Sequence, residues 1–92
     1  MDTEMQSYYN QYEGLGVDVK RVIKPVAIAL SNTEQLPRKT GIAAATRMYL
    51  EHRELFLELA CQVANHPRHL FEIYMILSPE ARVAIDVRET EE

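Results

Sequence analysis

The sequence predicts an all-α fold, a small bundle of four to five helices around one long central helix at about residues 41–64. Three observations carry that expectation. Gly41 to His66 contains no proline and, after Gly41 itself, no glycine, so no residue in it stops a helix once begun. Its apolar residues recur at alternating steps of three and four, the spacing that lines one helix face. Elsewhere, glycines, prolines and capping side chains cut the chain into helix-sized pieces.

In the first piece, Asp2 or Thr3 offers an oxygen to the free N–H groups of a helix that runs through Tyr12 and ends near Gly14. Met5, Tyr8, Tyr9 and Tyr12 share a face at steps of three and four. Leu15 and Gly16 break the pattern, and Asp18 is placed to cap a second helix with the stripe Val19, Val22, Ile23, Val26 and Leu30. Pro25 deletes one backbone hydrogen bond and crowds the turn before it, so a kink is expected there in preference to a fresh start. Residues 31–40 have no sustained period and many turn formers, which predicts the longest loop.

Thr40 then caps the long helix. Ile42, Ala45, Tyr49, His52, Phe56, Leu59 and Val63 form its seam, with His52 as the polar intruder. Ala43, Leu50, Leu57 and Ala64 form a second row, and Met48 and Leu55 flank the seam. Ala44, Arg47, Glu51, Glu54, Glu58 and Cys61 are left as a narrow wet stripe. At ~1.5 Å per residue this rod is about 35 Å long, close to the diameter of a small domain, so other segments must wrap it. Residues 67–77 are apolar nearly all round and predict a buried helix begun by Pro67. Ser78, Pro79 and Glu80 restart the pattern. Ala81, Ala84 and Val87 are expected to face the core; Val83 to Val87 also alternates as a strand would, without a partner strand. Residues 89–92 are an acidic tail expected to be disordered.

The chain has 92 residues, 47% hydrophobic and 26% charged, which excludes the composition of a disordered chain and predicts a single helical domain over residues 1–92. Cores this small are often completed by a partner or a second copy, so association with another protein or homodimerisation is expected. There is no apolar run long enough to cross a bilayer, and the acidic start lacks the basic and apolar regions of a secretory signal. A cytoplasmic protein without membrane contact is expected. The single cysteine, Cys61, forms no internal disulfide, in keeping with a reducing compartment.

The net charge of -4 is unevenly spread. Acids dominate residues 1–19 and 51–92, whereas residues 20–50 carry Lys20, Arg21, Lys24, Arg38, Lys39 and Arg47 against Glu34 alone. Such a basic segment is a possible phosphate footprint, or it pairs with the acidic flanks.

Catalytic and cofactor chemistry finds no complete set of residues. Cys61, His66 and His69 are the one group of ligand-type side chains close in sequence, but zinc needs a fourth ligand and usually a second pair. Glu58 and Asn65, the helix neighbours of Cys61, do not activate a thiol, and no third group orients a Cys61–His66 pair. Glu51, Glu54 and Glu58 share a wet face and do not converge from several helices. Arg38-Lys39-Thr40-Gly41 lacks the glycine-rich loop of a phosphate cradle. His52, on the seam, is expected to be half-buried. No metal, cofactor or catalytic residue is assigned, and an enzyme is not expected.

What remains is surface. The first reading is a non-enzymatic interaction module, an adaptor, inhibitor or regulatory subunit that meets another protein or itself. Its expected contacts are Tyr8, Tyr9, Tyr12, Phe71 and Met75, since tyrosine, phenylalanine and methionine are enriched in protein interfaces. The alternative is a nucleic-acid-binding regulator that sets Lys20, Arg21, Lys24, Arg38, Lys39 and Arg47 against phosphates. A helix-turn-helix reader fits that alternative poorly, because the expected linker of about nine residues is too long and the next helix opens Ile-Ala-Ala-Ala.

Overall fold

The computed structural model describes residues 2–64 together with Arg68, Leu70, Phe71, Ile73 and Met75. The expectations for His66 and His69, for Tyr74, for the helix start at Pro67, for Ser78 to Glu80, for residues 81–88 and for the tail lie outside the described residues. Four helices are defined: α1 (Thr3–Glu13), α2 (Val17–Glu34), α3 (Arg38–Glu51) and α4 (Arg53–Val63). The five described residues beyond α4 also have helical backbone. The fold is all-α, and no strand occurs among the described residues.

Local chemistry sets the first helix. The Asp2 carboxylate accepts a hydrogen bond from Met5 N at 2.8 Å, closing the N-terminus of α1, and the helix gives way at Gly14. The second helix begins two residues earlier than an Asp18 cap would place it, after Gly16, and runs on through Pro25 to Glu34. Residues 31–34 are therefore helix, and the expected ten-residue loop shrinks to Gln35, Leu36 and Pro37. Gln35 ends α2 in the left-handed region at φ 53°, its N–H returned to the Ser31 carbonyl. Pro37 stands just before the first residue of α3, so the helix starts at Arg38 and not after Thr40.

The expected unbroken rod is divided. His52, at φ -133° and ψ 62°, separates α3 from α4, and its side chain is exposed, not half-buried. The reason is the length of the cover. As one helix, residues 38–63 would extend about 39 Å, whereas the 18 residues of α2 reach only about 27 Å. Beyond His52, α4 packs against α2. Phe56 and Ala60 are thereby fully buried. The Tyr49 carbonyl near the turn accepts from Arg53 Nε at 3.2 Å, and the same guanidinium lies 4.4 Å from the centre of the Tyr49 ring. Tyr49 and Phe56 meet edge to face across the turn, 5.6 Å between ring centres.

The core joins Val22, Ile23, Val26 and Ala27 of α2, Ile42, Ala45 and Tyr49 of α3, Phe56 and Ala60 of α4, and Ile73. Helix α1 contributes no fully buried residue to it. Where α2 and α3 cross, Gly41 is buried, and a Cβ there would stand 2.9 Å from the Ala27 carbonyl and 1.9 Å from Ser31 Oγ. Only glycine allows this approach. Thr46 is wholly buried, and its hydroxyl donates to the Ile42 carbonyl one turn back at 2.8 Å.

Candidate functional site

Two places gather the residues that the sequence singles out. The first is the seam between α1 and α3. Tyr8, Tyr9 and Tyr12 are half-buried along it, and Tyr9 and Tyr12 pack against the core. Their rings meet the basic segment one by one: Lys20 Nζ lies 5.5 Å from the centre of Tyr12, Lys39 Nζ 5.4 Å from Tyr9, and the Arg47 guanidinium 5.9 Å from Tyr8. A cation over an aromatic face is attracted to the negative centre of the ring. Arg47 also pairs with Glu51 at 3.2 Å and approaches Glu4 at 3.8 Å. The Tyr8 hydroxyl donates to Glu51 Oε1 at 2.5 Å, linking residues 43 apart in the chain.

This hydrogen bond shifts both of its members. It holds the Tyr8 phenol above its ordinary pKa, because ionisation would set two negative oxygens face to face. It lowers Glu51 below the usual glutamate value; desolvation opposes the shift, and Arg47 adds to it through its own hydrogen bond and its charge. The acidic first helix is therefore fastened to the basic middle of the chain by the aromatic and charged residues that sequence reading assigned to partners.

The second place is a cleft of about 410 Å³ between α2 and the start of α3. Ala27, Ile28, Leu36 and Ile42 give it apolar walls, Ser31 and Asn32 add polar groups, and Lys24 and Arg38 stand beside them. Ile28 is 51% exposed, so the cleft presents an apolar side chain of α2 that the core does not cover. Neither Lys24 nor Arg38 forms an ion pair among the described residues. The six-residue basic set is thus divided: Lys20, Lys39 and Arg47 cover tyrosines, Lys24 and Arg38 border the cleft, and Arg21 is exposed one helical turn before Lys24. Sequence reading did not find the cleft. Lys24 and Arg38 are brought together only by the tight turn at Gln35 to Pro37, which was expected to be a long loop.

Of the other expected contacts, Phe71 is 46% exposed and Met75 is half-buried. Cys61 is a half-buried free thiol, and its sequence neighbours His66 and His69 lie outside the described residues. Among the described residues no three His, Cys, Asp or Glu side chains converge as a metal site would require, and no helix is long and apolar enough to cross a membrane. Comparison with known proteins finds no matching family model, no matching curated protein and no matching solved structure.

Proposed function

We propose that this chain is a non-enzymatic cytoplasmic interaction module whose docking surface is the cleft between α2 and α3. The observation that carries this reading is the pairing of apolar walls with two cations, Lys24 and Arg38, that have no ion-pair partner among the described residues. The occupant that fits is an amphipathic helix of another protein, with a large aliphatic or aromatic side chain against Ile28, Leu36 and Ile42 and carboxylates beside the two cations. Buried apolar area supplies affinity in such a contact, and the charges fix its register. Exposed Phe71 is a further apolar contact for the same class of partner.

This reading is favoured over the nucleic-acid alternative by the walls of the cleft. A phosphate backbone gains nothing from Ile28, Leu36 and Ile42, and three of the six bases already lie over tyrosine rings. The three-residue turn removes the objection of linker length to a helix-turn-helix, and α3 opens with Arg38, Lys39 and Thr40, but Lys39 already lies over the Tyr9 ring and the next three positions, Gly41, Ile42 and Ala43, are buried and offer no group to read a base edge.

The test is selection from a displayed random-peptide library against the purified chain, beside titration with a labelled DNA duplex. Peptides with Leu or Phe next to Asp or Glu should be enriched, and the double variant Lys24→Glu, Arg38→Glu should bind them about tenfold more weakly, the scale of two exposed ion pairs of ~1 kcal/mol or less each. Peptides without acidic residues, bound equally by the variant, would refute the assignment. Duplex binding that falls steeply with salt would replace it with the alternative.

A further inference from the structure

The junction at His52 joins two facts that were expected to exclude each other. The apolar seam Ile42, Ala45, Tyr49, Phe56, Leu59 and Val63 keeps helical register straight through position 52, as one continuous helix would require. Yet the chain bends there, at a single residue that is neither glycine nor proline and whose exposed side chain contributes nothing to the core. The bend gives Phe56 and Ala60 their place against α2, which is too short to cover a straight rod.

We propose that the chain dimerises by exchanging α4 about His52, so that α3 and α4 fuse into one helix and α4 of each copy packs on α2 of the other. The occupant is a second copy because the surface it needs already exists: the α2 face that receives Phe56 and Ala60 within one chain receives the same side chains from the next. No new interface has to be built, which makes exchange of an identical element an accessible route to a dimer. Straightening moves the Tyr49 carbonyl from Arg53 Nε to the backbone N–H of Arg53, the ordinary partner four residues on, and releases the guanidinium. The two copies together supply the length of cover that one copy lacks.

The test compares His52→Ala with His52→Gly by sedimentation equilibrium of the full chain. Both variants delete the imidazole and differ mainly in helix propensity, and each dimer straightens two junctions, so the Ala variant should dimerise roughly 30-fold more tightly than the Gly variant. Arg53→Pro adds a second arm. Proline is accepted in the first turn of α4 but interrupts a fused helix, so this variant should remain monomeric with its helical circular dichroism intact. If it does not fold, the Ala and Gly pair decides alone. Equal dimerisation of those two variants would overturn the proposal, as would a folded Arg53→Pro chain that dimerises like wild type, or wild-type and Ala chains that stay monomeric at millimolar concentration. The Lys24→Glu, Arg38→Glu variant should dimerise like wild type, so that failure of peptide docking and failure of exchange are read separately.

Discussion

Helix α3 has two neighbours that hold it by opposite means. Toward α2 the contact is close and dry: Gly41 sits against Ser31 and Ala27, and Val22, Ile23, Val26 and Ala27 are almost wholly removed from solvent. Toward α1 the contact is wet. That helix buries no residue completely and is fastened by tyrosines, cations and carboxylates at the surface. Apolar burial contributes about 25 cal/mol per Å², whereas exposed ion pairs and cation–ring contacts contribute at most ~1 kcal/mol each. The α2–α3 pair should therefore set global stability, with α1 opening first as a local unit.

The comparison breaks most visibly if Ile23→Ala is mild. Ile23 is fully buried, so the loss should be about 2–5 kcal/mol in urea unfolding, with the transition of the whole chain shifted. Next in size is Gly41→Ala. The added methyl meets a backbone carbonyl that cannot swing away, so a loss of about 1–3 kcal/mol is expected, reduced by the better helix propensity of alanine. A stability gain would show that the two helices separate freely. The smallest effect belongs to the α1 seam. Tyr8→Phe should leave the unfolding midpoint nearly unchanged while raising amide exchange in Thr3–Glu13, and slowed or unaltered exchange would mean that α1 is held by something else.

The same seam has a signature in pH. Glu51 has a folded pKa below its ordinary value, so its contribution is present at pH values above the usual glutamate range near 4.5 and is lost as pH falls through the lower folded value. Tyr8 has the opposite sign: its raised folded pKa makes a contribution that is complete below pH 10.0 and lost as pH rises through the folded value. Exchange protection of α1 should fall at both ends of the pH range, and Glu51→Gln should flatten the acid limb.

Legibility from sequence divides along similar lines. The Asp2 cap, the stop at Gly14 and the α2 stripe were readable because each depends on residues within a turn or two of one another. Residues 31–34 were misread: Ser, Asn, Thr and Glu favour turns by themselves, and it is packing of the adjoining Ala27, Leu30 and Ser31 region on α3 that extends the helix across them. The bend at His52 leaves no local mark, since neither proline nor glycine accompanies it and its cause is the finite length of α2. The engagement of Tyr8 with Glu51 and the meeting of Lys24 with Arg38 are long-range, and periodicity along one helix does not specify which helix faces it. The aromatic and basic residues were recognised as unusual, but half of the basic set and the three tyrosines of α1 are used within the chain itself.

Ser31 both borders the cleft and is the side chain nearest to a methyl added at Gly41. The crossing therefore works as the fulcrum of a jaw whose lips carry Lys24 and Arg38. A wedge of one carbon at the fulcrum would splay the lips, so the gap between the two positive charges is set by an atom that is missing from residue 41.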